Sequence, residues 1–206
     1  MTNTLKGHIS AHEFDAENTR VAWLKPSLPV QETIETVSST VATLTEALPY
    51  FELAGHRLEC QNHGAPECPD IALNEQEASR TKPQAWSNEV DGQTYWFYNY
   101  PGACAEAVFL KREMPTIEQW MEILDSVPGD AGEKAVALNV PMAGYRNAGG
   151  DEFYSAGDYA DLWSSSPYYG GQSAHYAILE RGNADAYTFA SDRGHGMFLR
   201  FLSDKK

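Results

Sequence analysis

The spacing of apolar positions changes twice along the chain. Over residues 31–48, Ile34, Val37, Val41, Leu44 and Leu48 step by three and four, with Thr, Ser and Glu filling most of the places between them. That spacing predicts a helix with a narrow apolar stripe, suited to pairing with its own copies in a short coiled coil. The alternative is a helix packed on its own domain, because two heptads are marginal alone. Residues 1–30 end in the stretch KPSLPV and read as an irregular arm, since Pro26 and Pro29 remove backbone donors and disfavour helix before them. Residues 49–92 have few apolar positions after Leu58 and read as a connector.

From residue 93 onward the texture becomes aromatic and glycine-rich. GQTYWFYNY reads as a strand. Thr116 to Gln119 forms a capping box at the head of TIEQWMEILDSV, with Pro115 just before the cap and Ile117, Trp120, Met121 and Leu124 on one helical face. A second short helix is expected over residues 131–138. Beyond Asn139 come NVPMAGYRN, DEFYSAG, DLWSSSP, AHYAILERG, ADAYTFASD and GMFLRFLSD, punctuated by turns at Gly149-Gly150, Gly170-Gly171 and Gly182-Asn183. One or two helices followed by short strands and turns give an α+β class.

Charge narrows the partners. A formal net charge of −14 over 206 residues disfavours nucleic acid and anionic membrane surfaces, both of which need a basic patch. No apolar run approaches the length of a membrane span, so membrane insertion is not expected. The first residues, MTNTLKGHISAHEF, lack the basic and apolar regions of a signal peptide, so the expected location is cytoplasmic or, for a phage-encoded chain, the virion. Three cysteines are too few for a disulfide scaffold.

Candidate chemistry falls in three places. His56, Cys60, His63 and Cys68 follow H-x3-C-x2-H-x4-C, soft ligands whose short spacing suits a tetrahedral structural zinc. A Cys60–Cys68 disulfide or four plain surface residues explain the same pattern. Ser164, Ser165 and Ser166 sit on an expected strand, with His175 and His195 beyond. A nucleophilic pair needs a strained turn and an oxyanion hole that this spacing does not display. The serines are therefore expected to hydrogen-bond within the sheet, with Trp163 in the core.

The third place is compositional. Seven of the eleven tyrosines lie in residues 145–187, among Gly, Ser, Asp and Asn. Tyrosine offers large, rigid, amphipathic contact area at low entropic cost, which is the chemistry of a binding surface. Tyr154, Tyr159, Tyr168 and Tyr169 neighbour Gly or Asp in expected loops and are the candidates for display, whereas Tyr176 and Tyr187 fit burial equally well. Asp151, Glu152, Asp158 and Asp161 could offer hard oxygen ligands to calcium, although acids in loops are usually solvated.

The C-terminal motifs carry a resemblance. Met114-Pro115-Thr116, Trp120, Gly144-Tyr145-Arg146-Asn147, Phe153, Gly157 and Trp163-Ser164-Ser165-Ser166, then AHYAILERG and GMFLRFLSD, resemble in order the Fibrobacter succinogenes major paralogous domain. That family belongs to the C-type lectin-like and formylglycine-generating-enzyme-like fold group. YWFYNYPGACAEAVFLKRE stands where the family has an LYNW strand and a Cys-Pro-x-Gly-Trp turn, and it departs from the turn motif. The resemblance implies an α+β, C-type lectin-like domain over residues 93–206, with two short helices and loop-rich, twisted antiparallel strands; the arm and coiled coil ahead of it rest on the spacing of prolines and apolar residues alone. Such domains form the ligand-displaying tips of phage tail fibres and of retroelement-diversified proteins. The implied function is non-enzymatic binding of a host-surface protein or glycan by a homotrimer, through Tyr154, Asp158, Tyr159, Asp161, Tyr168 and Tyr169. Tyr145 and Arg146 join that set, although their place in the family motif equally implies a structural role. The enzymes of the fold group need a cysteine pair and a metal, and no cysteine follows Cys104 here. No EPN, QPD or WND motif of calcium-dependent sugar binding occurs.

Overall fold

A computed structural model describes residues 49–203, so the expected arm and coiled-coil helix lie outside the described residues. The described residues form a mixed α+β arrangement of three helices and several small sheets. The strands are β1 (Tyr50–Leu53), β2 (His56–Glu59), β3 (Ala72–Leu73), β4 (Gln84–Val90), β5 (Gln93–Tyr98), β6 (Tyr145–Arg146), β7 (Phe153–Tyr154), β8 (Tyr159–Pro167), β9 (Ser173–Glu180) and β10 (Tyr187–Asp192). Between β5 and β6 come α1 (Tyr100–Leu110), α2 (Ile117–Ser126) and α3 (Ala131–Ala137). The sheets run β1-β2, β3-β4-β5, β6-β7 and β10-β9-β8; β3 pairs with β4 in parallel and the other ladders are antiparallel.

The expected cap of α2 is present. Thr116 accepts from the Gln119 N–H while the Gln119 side chain accepts from the Thr116 N–H, and Asp130 and Glu133 repeat the arrangement on α3. On α2 the buried stripe is Ile117, Trp120, Ile123 and Leu124, with Met121 half exposed instead of facing the core. Helix α1 is an addition to the sequence reading. Small residues make up much of its buried side, Val108 and Phe109 point to solvent, and so no apolar stripe marks it. It starts because the Asn99 side chain accepts from the Gly102 N–H, and Pro101 fits the first turn, where a missing N–H costs nothing. Gly102 packs so close to the Gln84 carbonyl that a Cβ there would overlap it.

Residues 49–92, read as a connector, contain β1 to β4 and supply Leu58, Ile71, Ala85 and Trp86 to the core. Their apolar residues are sparse because the core is completed from elsewhere in the chain. Leu58 joins Phe97 and Phe198, and Ile71 joins Tyr98 and Trp163. The closing segment GMFLRFLSD, expected as a strand, forms only isolated bridges, but it ties the sheets together. Met197 exchanges both backbone hydrogen bonds with Tyr98, Gly196 exchanges both with Arg146, and Phe198 bonds to Asp161 and Trp163 of β8. Leu202 reaches back to Leu58, next to the first hairpin.

The β8–β9 hairpin divides two apolar clusters. Ala160, Leu162, Ala177 and Leu179 face α2 and α3 on one side, with Trp120, Leu124 and Leu138. On the other side Trp163 packs with Tyr98, Tyr100, Met197 and the alanines of α1. Alternation along β8 thus buries both of its faces over Ala160–Ser164, and the face carrying Trp163 opens toward the start of the strand.

Candidate ligand-binding face

Strand register assembles that open face. Tyr159, Asp161 and Trp163 on β8 lie opposite Glu180, Ile178 and Tyr176 on β9. Ile178 and Tyr176 lie in turn opposite Tyr187 and Phe189 on β10. Side chains alternate with period two, so these residues share one side of the sheet. Phe189 is 64% exposed there, and Tyr187 is also exposed. Strand β6 brings Tyr145 to the same region, its ring stacked on Tyr154 at 6.1 Å and tilted against His195 at 5.8 Å. Gly144 makes this possible: its φ is +76°, and a Cβ would overlap the Tyr154 carbonyl.

Glu180 organises the polar part of the face. It accepts from the Tyr159 hydroxyl at 2.5 Å, the Tyr187 hydroxyl at 2.9 Å and the Asn183 amide at 2.5 Å. The Tyr159 and Tyr187 hydrogen bonds hold its carboxyl below the usual range. Burial pushes the Tyr187 hydroxyl up to about 12, with Glu180 reinforcing the shift. Asp161 is different. It is 4% exposed and its Oδ1 has no hydrogen-bond partner. Burial, with Glu180 nearby, raises its carboxyl to about 7.

The structure separates the remaining expected binding residues. Tyr168 and Tyr169 lie in the β8–β9 turn, at the far end of a nine-residue strand from Tyr159. At about 3.3 Å per residue, the two groups stand roughly 25–30 Å apart. Tyr169 is 97% exposed, and Tyr168 leans edge-on against His175 at 5.1 Å. Asp158 is exposed in the turn before β8, with its carbonyl accepting from the Arg181 N–H. Arg146 is not displayed. It is 1% exposed, lies over the Trp86 ring and donates to the Gln76 and Asn147 carbonyls, so its role is to hold the core. Phe189 and Glu180 belong to the face but escaped the sequence reading, because only the β9–β10 register shows which way they point.

Of the three serines, Ser164 bonds within the sheet as expected, whereas Ser166 bonds to the first residue of α2. Ser164 donates to the His175 carbonyl at 2.8 Å, Ser166 accepts from the Ile117 N–H, and Trp163 is fully buried. Ser191 and His195 Nδ1 approach to 2.5 Å, beside a polar cavity of about 640 Å³. Asp192, beside them, takes Arg80 on Oδ2 and the Gly194 N–H on Oδ1.

Of His56, Cys60, His63 and Cys68, the two histidines turn to different helices. His56 Nε2 meets Glu122 at 2.7 Å on α2, and His63 Nε2 meets Glu106 at 2.8 Å on α1. All three cysteines are free thiols. Among the described residues, no group of three or more His, Cys, Asp or Glu side chains is placed to hold a metal. Glu106 anchors this segment: fully buried, it accepts from His63 and from the Glu67 and Cys68 N–H groups. Among the described residues, no helix is long and apolar enough to cross a membrane. No family model, no curated protein and no solved structure matches this chain.

Proposed function

We propose that this chain is a non-enzymatic ligand-binding protein that displays a tyrosine-rich surface on a C-type lectin-like domain. In this reading it serves as the receptor-binding element of a phage tail fibre, a homotrimer presenting three such surfaces to a host-surface protein or glycan. The observation that carries the reading is the exposure of Tyr154, Tyr168, Tyr169, Tyr187 and Phe189 on one hairpin system and its adjoining loop. Exposed aromatic rings on ordered strands cost solvation in the free protein and regain it on binding. The α+β arrangement, the capped helix α2 and the loop-rich strands support the fold assignment. Trimeric display would make weak single-site affinity effective, because linked sites act at high local concentration.

Binding of the labelled full chain to a panel of bacterial cells and to a glycan array tests the reading. The double variant Tyr168→Ala with Tyr169→Ala should abolish binding and leave the melting temperature nearly unchanged, since both rings are exposed. A variant that binds like the parent would remove the hairpin tip from the binding surface. A large fall in melting temperature would assign those rings to stability.

A further inference from the structure

We propose that the Asp161 end of this face is a cation-accepting site, shaped for the ammonium or guanidinium end of a lysine or arginine side chain on a partner protein. The inference rests on the binding-surface reading above and specifies its partner chemistry.

Three tyrosines and two carboxyls gather there. Glu180 takes the Tyr159 and Tyr187 hydroxyls, and strand register puts Asp161 and Tyr176 on the same side of the sheet. Glu180 already takes three donors, whereas Asp161 Oδ1 is buried without a partner and is the unmet acceptor of the site. Leaving a buried polar atom unpaired costs free energy, and such an atom in a folded protein calls for a physical explanation. A cationic donor supplies both missing terms, a hydrogen bond to Oδ1 and a compensating charge. The surrounding rings favour the same occupant, because tyrosine faces attract ammonium and guanidinium groups. The long, thin stem of lysine or arginine suits a carboxyl set beneath rings, since its methylenes can lie along apolar surface while the charged end goes deep. The regional charge agrees: residues 145–195 contain seven Asp and Glu against three Arg. Two of those arginines are engaged elsewhere, Arg146 with Trp86 and the Gln76 carbonyl and Arg193 with Tyr100 and the Gly171 carbonyl.

Isothermal titration of the full chain with arginine amide and with Nα-acetyl-lysine methylamide tests the assignment. Citrulline amide serves as the neutral counterpart and glucosamine as an amine of glycan type. At about pH 8, where Asp161 is ionised, the two cationic probes should bind saturably with Kd on the order of millimolar, and citrulline amide roughly tenfold more weakly. Asp161→Asn should lose roughly tenfold in affinity without a lower melting temperature. Tyr187→Leu should weaken binding less, through one wall ring. At about pH 6, binding should release a proton, read from titrations in buffers of different ionisation enthalpy. The groups facing Asp161 are Tyr159 on β8, Tyr176 and Glu180 on β9 and Tyr187 on β10; the three tyrosines are raised and Glu180 is lowered, so among them Asp161 is the one that exchanges a proton in that range. Equal binding by the parent and Asp161→Asn overturns the proposal, as does the absence of saturable binding by either cationic probe. Preference for glucosamine overturns the assignment to a protein side chain. If Asp161→Asn binds like the parent while the Tyr168 and Tyr169 double variant loses cell binding, the cation site falls and the display reading stands.

Discussion

Asp161 takes its character from its neighbours. Its β8 position puts it on the side of the sheet shared with Trp163, Tyr176 and Ile178, and its Oδ1 has no donor. The consequence for stability has a definite sign. An unfolded aspartate titrates near 3.9, whereas burial raises Asp161 to about 7 in the folded chain. Between those values the folded state holds the proton that the unfolded state has released. This group's contribution to stability is therefore full below about pH 4 and is lost as pH rises toward 7, by at most on the order of 4 kcal/mol. Asp161→Asn removes that dependence. Chemical denaturation across that range should show the variant gaining on the parent as pH rises, and parallel curves would place the carboxyl in water. Arg200 is a second buried charge, but a satisfied one. It donates to Asn62 and to the Leu138 and Asn139 carbonyls, and burial lowers its guanidinium to about 9.

At the scale of elements, the helix starts separate local from tertiary work. Thr116 is a half-buried cap on an amphipathic helix whose stripe the sequence displays, so Thr116→Ala should cost about 1 kcal/mol, or roughly 2–4 °C in melting temperature. Asn99 caps α1 and also accepts from the Gln84 N–H while donating to the Ser79 and Lys82 carbonyls, all from a fully buried side chain. Asn99→Ala would orphan those groups inside the fold and should cost about 3 kcal/mol or more. Similar losses for the two variants would mean that Asn99 acts only as a cap. The same contrast explains what was legible. The Thr116–Gln119 box is written in four consecutive residues, whereas α1 has no stripe and depends on the β4 strand and the 79–82 loop closing over its start.

For the whole molecule, the proposed display requires association. Multi-angle light scattering of the full chain should give a trimer, and a monomer at micromolar concentration would remove the avidity on which weak sites rely. The sequence alone determined the α+β class, α2 with its cap, the short helix α3, most C-terminal strands and the tyrosine-rich stretch, because hydrophobic period, capping and turn residues act over a few neighbouring positions. Tertiary structure decided the rest. It drew β1 to β4 into the core through Leu58 and Trp86, split the tyrosines between the hairpin tip and the Glu180 end, and buried Arg146 against Trp86. It also left Asp161 unpartnered beneath the rings. Burial is a property of what lies opposite, and the residues opposite Asp161, Ile178 across β9 and Tyr187 beyond it on β10, arrive from later in the chain in a register that no local pattern states.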